Sequence, residues 1–120
     1  MAYNKDFGVD LGSENTFICK KNKGIIVNEP SVIAVDSVSD RVIAIGREAK
    51  QMIGRVPSTI EVEYTIQEGV ISSFEKTGLL LSEFIKPHNV GFGKTRMILS
   101  IPCRSTAVER KAVEDVARTC

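Results

Sequence analysis

Short stretches in which hydrophobic and polar residues alternate make up most of the first half of the chain. Alternation with a period of two is typical of β-strands, because successive side chains point to opposite faces of a sheet. The predicted strands cover residues 7–11, 16–19, 24–27, 32–35 and 42–45. Their connections "KKNKG" and "VSD" are short and polar, so they predict hairpin turns and antiparallel pairing. A brief helix is predicted over residues 46–53, ended by Gly54 and then by Pro57.

The second half of the chain alternates strands with helices. After the strand-like "IEVEY" and "GVI", Ser72 and Glu75 have the spacing of a capping box, which predicts a helix that Pro87 ends. The sequence "TRMILSIP" is nearly all apolar and predicts a strand that is buried on both faces of a sheet. Thr106 and Glu109 repeat the capping-box spacing before a last helix. This order of elements predicts an α/β fold with a mixed sheet and at least one crossover.

Composition excludes several classes of function. The 120 residues carry a formal net charge of +1, so the total charge gives no reason to expect binding to nucleic acid. Cys19, Cys103 and Cys120 are far apart and lack the spacing of a zinc site or a disulfide framework. The chain shows neither a signal peptide nor an apolar run near 18 residues, and we therefore expect a cytoplasmic protein.

Candidate chemistry is concentrated in "FGVDLGSENTFICKK", where a strand is interrupted by polar residues. With Asp10 at the end of the strand, the backbone N–H groups of residues 12–16 would form a small concavity of the kind that binds phosphate oxygens. Gly12 permits close backbone approach, and the hydroxyls of Ser13 and Thr16 can add hydrogen bonds. Asp10 would then face Mg²⁺, through water. Spacing alone also fits a plain hairpin turn, so both interpretations stay open at this level.

A wider set of motifs carries a family resemblance. The sequences "GVDLGSENTFICKKNKGIIVNEPSVIAVD", "AIGREAKQMIGRVP", "EGVI" and "SIPCRSTAVERKAVEDVAR" closely resemble the amino-terminal third of the MreB/Mbl family of bacterial actin-like ATPases. The resemblance implies that the turn is a phosphate loop for ATP and Mg²⁺. The residues it assigns to phosphates are Asp10, Gly12, Ser13, Glu14, Asn15 and Thr16, with Asp10 also serving the metal.

The same resemblance implies an architecture and a cellular role. Residues 1–30 and 73–120 would form a large, ribonuclease-H-like subdomain that is incomplete, and residues 31–72 a small inserted subdomain. Subunits of the family stack head to tail into filaments at the inner face of the cytoplasmic membrane, where they direct cell shape together with wall-synthesis proteins. The resemblance implies that Val90 and Phe92 enter the membrane surface, although a flexible glycine-rich connector explains this segment equally well.

Two departures from the family pattern limit the expected activity. Glu14 stands where the family has a small residue, and its carboxylate would repel phosphates unless it turns outward or meets the metal. The family's water-positioning glutamate and second phosphate loop correspond to positions beyond residue 120, so no catalytic residue is assigned and efficient ATP hydrolysis by this chain is not expected. The alternative is a truncated, non-catalytic module that binds or caps filaments of full-length relatives.

Overall fold

A computed structural model describes residues 6–89 and 96–100 of the chain. Its strands are β1 (Asp6–Leu11), β2 (Asn15–Lys20), β3 (Gly24–Pro30), β4 (Val32–Asp36), β5 (Val42–Ile45), β6 (Ile60–Tyr64), β7 (Ile66–Gln67), β8 (Val70–Ile71) and β9 (Arg96–Ser100). Its helices are α1 (Gly46–Gln51) and α2 (Phe74–Ile85), and a short 3-10 helix (Lys86–His88) follows α2.

Strands β3, β2, β1 and β9 form, in that order, what we call the first sheet. β1 and β2 pair antiparallel, as do β2 and β3, whereas β9 pairs with β1 in parallel. The β2–β3 connection is the hairpin turn predicted at "KKNKG", and Asn22 within it has a positive φ of 67°. A parallel partner requires a crossover, and the chain between β3 and β9 supplies it with α2. The mixed sheet expected from the sequence is therefore present.

Strands β5, β4 and β6 form the second sheet, and β7 pairs with β8 in a small separate hairpin. The central strand β4 is buried on both faces, with Val32, Ile33 and Ala34 each at 0% exposure. Ile33 packs into the main core, whereas Val32 and Ala34 pack in a smaller cluster that includes Ala49 of α1. The continuous apolar run in β4 thus reflects burial on two sides.

The main core spans both sheets. Alternate residues of β1 and β2 point into it, among them Phe7, Val9 and Ile18, and the apolar side of α2 covers them with Leu80 and Leu81. The division of the chain into a small subdomain of residues 31–72 and a flanking large one stays a prediction.

Two sequence predictions about individual elements are wrong. The N-cap of α2 is Ser73, whose hydroxyl accepts a hydrogen bond from the backbone N–H of Lys76, whereas the Ser72 hydroxyl contacts the carbonyl oxygens of Tyr64 and Thr65. Strand β9 is not buried on both faces, because Ile98 is 79% exposed. In the described part of the chain, β9 is the edge strand of the first sheet and alternates between exposed and half-buried side chains. The predicted helix from residue 106 lies outside the described residues.

Candidate phosphate-binding loop

The candidate site is built on the hairpin loop of residues 12–14, which joins β1 to β2 and which we call the β1–β2 loop. Pairing of Leu11 with Thr16 closes the hairpin, and the backbone N–H of Gly12 donates to the carbonyl oxygen of Asn15 at 3.1 Å. A Cβ atom at position 12 would lie 2.7 Å from that same oxygen. Glycine is therefore required at position 12 by the loop itself, since contacts this short to a backbone atom force a rearrangement.

Alternation along β1 decides where the candidate carboxylate lies. Val9 and Leu11 point into the core, so Asp10 between them points to the opposite face and is exposed. Its neighbours across the sheet are Phe17 on β2 and Ser100 on β9. No ion pair to Asp10 occurs among residues 6–89 and 96–100, which leaves its carboxylate open to a solvated cation.

Ser13 and Glu14 form the exposed tip of the β1–β2 loop. Within the described part of the chain, no acceptor is hydrogen-bonded to the backbone N–H groups of these two residues. Adjacent N–H groups that project from a tight turn are the donors by which loops bind phosphate oxygens. The tip therefore offers two backbone donors and the Ser13 hydroxyl, together with one negative side chain, Glu14.

The last two candidate residues belong to β2 and face other parts of the protein. Thr16 is fully buried, and its hydroxyl lies 2.8 Å from the hydroxyl of Ser31. The Asn15 amide donates to the side-chain oxygen of Asn28 at 2.8 Å. The structure thus places Gly12, Ser13 and Glu14 on the exposed loop, and it directs the Thr16 hydroxyl into the interior.

Nothing in the sequence assigned Asn28 or Ser31 to the site. Asn28 lies in β3 and accepts from Asn15, and Ser31 follows β3 and contacts Thr16. Both belong to the stretch "NEPSV", which contributed to the family resemblance only through its sequence and was given no role. The pairing of Asn15 with Pro30 at the start of β2 brings this stretch beside the loop. Asn28 and Ser31 lie 13 and 15 residues from their partners Asn15 and Thr16, so no local sequence pattern indicates these contacts.

A cavity of about 520 Å³ adjoins the loop tip. Its lining residues are Ser13, Glu14, Ile53, Val62, Glu63, Tyr64, Ile66, Gln67 and Glu68. Three of these side chains are acidic, and Glu63 is compensated by the ammonium of Lys76 at 3.4 Å. Lys76 also donates to Glu61 at 2.8 Å, and this hydrogen bond is the main reason that the pKa of Lys76 is raised. Since Glu14 and Glu68 have no such partner in the described part of the chain, a polyphosphate near the tip would need a cation to offset their charge.

The described side chains fit a hydrated metal better than a directly ligated one. Across residues 6–89 and 96–100, no three His, Cys, Asp or Glu side chains come close enough together to hold a metal ion. Mg²⁺ keeps several of its waters and is commonly held by one or two carboxylates and the substrate phosphates. The exposed carboxylate of Asp10 suits that arrangement.

The candidate membrane residues Val90 and Phe92 lie outside the described residues. Among the helices that the structure does describe, none is long and apolar enough to cross a membrane.

Comparison with known proteins gives one consistent result. The family described as MreB/Mbl protein matches residues 4–120. The cell shape-determining protein Mbl of Bacillus subtilis is 44% identical over 115 residues, which cover 94% of this chain and 34% of Mbl. The cell shape-determining protein MreB of Escherichia coli is 38% identical over 125 residues, covering 97% of this chain and 35% of MreB. The chain therefore spans about a third of the length of these relatives.

Solved structures show the same likeness in three dimensions. MreB5 of Spiroplasma citri bound to ADP superimposes with a TM-score of 0.83 at 27% identity, covering 95% of this chain and 34% of that one. The same protein bound to AMPPNP gives a TM-score of 0.83 at 26% identity, covering 99% of this chain and 36% of that one. The fold is therefore that of the amino-terminal part of an actin-like protein.

Proposed function

Because the chain belongs to the MreB/Mbl protein family, we propose that it is the nucleotide-binding part of a bacterial actin-like cytoskeletal protein, and that its β1–β2 loop binds the phosphates of ATP together with Mg²⁺. The observation that supports the proposal is the loop tip, where Ser13 and Glu14 line a cavity and their backbone N–H groups have no acceptor in the described part of the chain. Crystals of a related protein, MreB5, contain ADP or AMPPNP, which supports the same class of ligand here.

Each loop residue has a distinct part in the proposed binding. Ser13 and Glu14 supply backbone donors, and Gly12 keeps the turn tight enough to present them. Asp10 orients a hydrated Mg²⁺, and the metal offsets the charge of the phosphates beside Glu14. Asn15 and Thr16 contribute by fixing the end of the loop through Asn28 and Ser31.

The role of the whole protein is part of the proposal. Its relatives are named for determining cell shape, so we propose that subunits stack head to tail into filaments at the inner face of the membrane and act with wall-synthesis proteins. Head-to-tail stacking joins two different surfaces of the subunit, and such heterologous contacts generate open filaments. Residues 31–72 would form the small subdomain of each subunit, and Val90 and Phe92 would contact the membrane.

Titration calorimetry tests the nucleotide proposal with two matched glycine variants. In Gly12→Ala the new Cβ meets the Asn15 carbonyl, whereas in Gly8→Ala, within β1, it meets nothing within 4 Å. We expect Mg²⁺-dependent ATP binding by the chain and by Gly8→Ala, with an affinity at least about tenfold lower for Gly12→Ala. If a folded chain gave no heat with millimolar ATP and Mg²⁺, or if both variants bound ATP equally, the assignment of the loop would be wrong.

A further inference from the structure

Ser31 is fully buried, and every polar group it has is hydrogen-bonded. Its backbone N–H donates to the carbonyl oxygen of Glu14 at 2.9 Å, and its hydroxyl donates to the carbonyl oxygen of Gly12 at 2.8 Å. Its own carbonyl oxygen accepts from the backbone N–H of Thr65 at 2.9 Å and from the Thr65 hydroxyl at 3.3 Å. Ser31 thus joins the β1–β2 loop to Thr65, which lies 34 positions after Ser31 in the chain.

The direction of the remaining hydrogen bond follows from a count of protons. A serine hydroxyl has one proton, and that of Ser31 is given to the Gly12 carbonyl. In the contact of 2.8 Å between the two hydroxyls, Thr16 must therefore be the donor and Ser31 the acceptor. The proton of Thr16 is committed to this buried contact. Loss of the Ser31 hydroxyl would leave both the Gly12 carbonyl and the Thr16 hydroxyl without these partners.

Ser31 lies at the junction between the two sheets. Pro30 ends β3 in the first sheet and Val32 begins β4 in the second sheet, so Ser31 lies where the chain passes between them. Thr65 directly follows β6, the other flanking strand of β4, and its carbonyl oxygen accepts from the backbone N–H of Ser72. The loop cannot shift away from Ser31 without breaking buried hydrogen bonds, and neither can the ends of β4 and β6.

We propose that Ser31 is a positioning residue that couples the conformation of the β1–β2 loop to the position of the second sheet. Its hydroxyl holds the carbonyl oxygen of Gly12 inward, and because the peptide bond is trans, the N–H of Ser13 in the same peptide points the opposite way. As far as it concerns ligand binding, this inference rests on the proposed nucleotide function. The coupling itself concerns only residues of this chain and is measurable without a ligand.

Two variants of equal shape isolate the Ser31 hydroxyl. Ser31→Thr adds one methyl group and keeps the hydroxyl, whereas Ser31→Val adds the same methyl group and replaces the hydroxyl by a second one. The two side chains have nearly the same shape, so overpacking affects both alike. Amide hydrogen exchange, followed by mass spectrometry, reports separately on the loop, on β6 with Thr65, and on α2. We expect Ser31→Val to speed exchange at least about tenfold in residues 12–16 and 60–66 together, with α2 unchanged, and Ser31→Thr to remain close to the unaltered chain.

Binding of Mg²⁺ and ATP supplies the second readout. Ser31→Val is expected to bind at least about tenfold more weakly than Ser31→Thr. Ser37→Ala is the control, because its hydroxyl also donates to a backbone carbonyl, that of Thr59, but in the exposed turn that follows β4. If Ser31→Val does not fold, Thr16→Val removes the same contact between hydroxyls from its other side.

The outcomes separate the coupling from the proposed function. Equal exchange rates in Ser31→Val and Ser31→Thr, or faster exchange spread evenly through α2, would overturn the coupling, since the hydroxyl would then have no specific role. If the unaltered chain binds no ATP while exchange in Ser31→Val rises in the loop and β6 together, the nucleotide proposal fails and the coupling stands.

Discussion

The ammonium group of Lys20 donates a hydrogen bond of 2.7 Å to the carbonyl oxygen of His88 and lies 5.7 Å from the centre of the Phe7 ring. Lys20 is the last residue of β2 and is buried, with only 7% of its surface exposed, which is unusual for a lysine. Its hydrogen bond ties β2 to the 3-10 helix that follows α2, and the aromatic ring below it favours the positive charge. Lys20 therefore forms a tertiary contact between β2 and the 3-10 helix.

Replacement of this lysine by methionine is expected to destabilise the protein. Lys20→Met keeps an unbranched apolar side chain but removes the donor to His88 and the contact of the charge with Phe7. We expect the free energy of unfolding to fall by about 1–3 kcal/mol, because a hydrogen bond from a charged group is lost and a carbonyl is left without it. Urea denaturation checks the value. Lys23→Met, in the exposed turn between β2 and β3, should change stability by less than about 0.5 kcal/mol, and equal effects of both variants would contradict the prediction.

Removal of the negative charge at the loop tip should strengthen binding of free nucleotide. Glu14 is exposed beside the loop amides, so its carboxylate repels a polyphosphate that carries no metal. We expect Glu14→Gln to raise the affinity for ATP without Mg²⁺ by about two- to fivefold at low ionic strength, and to change the affinity for the magnesium complex less. Calorimetry compares the two. Glu75→Gln on α2 is the control, and an unchanged affinity for free ATP in Glu14→Gln would show that this carboxylate does not face the phosphates.

The start of α1 is expected to tolerate no side chain at position 46. Gly46 has a φ of 64°, and a Cβ there would overlap the Glu29 carboxylate, which accepts from the backbone N–H of Arg47 at 2.8 Å. Gly54 has a similar φ of 74° but open space around it. Both alanine variants should therefore lose about 1–2 kcal/mol from the left-handed backbone, and Gly46→Ala roughly 1 kcal/mol or more beyond that from the overlap. Thermal and urea unfolding measure the difference, which should vanish if Glu29 simply moves aside.

An ion pair across the parallel strands should give stability that depends on pH. Arg96 of β9 donates to the Asp6 carboxylate of β1 at 2.9 Å, and this hydrogen bond is the main reason that the pKa of Asp6 is lowered from its ordinary 3.8. A carboxylate with a lowered pKa in the folded state contributes stability above pH 3.8 and loses that contribution as the pH falls through the folded-state value.

The test compares the unaltered chain with Arg96→Met. We expect Arg96→Met to be less stable than the unaltered chain near about pH 6. The difference in stability should shrink as the pH falls below about 3.8, and the midpoints of urea unfolding in the two pH ranges measure that difference. The effect should be small because the guanidinium group of Arg96 is exposed to solvent. Arg41→Met, at an exposed turn, should show no such dependence. A gap that stays constant with pH would mean that the pair contributes nothing through the charge of Asp6.

Sequence alone determined most of the strands and turns, because these depend on local patterns. Alternation of apolar residues located β1 and β2, and the polar connections located turns in which Asn22 and Asp40 adopt positive φ values. Gly12 was singled out in the sequence for close approach to phosphate, which stays a prediction, and the structure adds a separate reason for glycine there, the close contact to the Asn15 carbonyl within the loop. The family was recognisable from motif wording, and its match over residues 4–120 confirms it.

Tertiary structure alone decided which partner each polar group meets and which apolar strand is buried on both faces. Thr16 has the same hydroxyl whether it faces a ligand or the interior, and only the pairing of β2 with β3 brings Ser31 to it. Capping-box spacing to Glu75 favours Ser72 as the cap in sequence, but its hydroxyl donates to the Tyr64 and Thr65 carbonyls, and Ser73 caps the helix. A local pattern fixes backbone period and side-chain alternation, whereas burial and hydrogen-bond partners depend on residues far away in sequence that only the assembled sheets bring close.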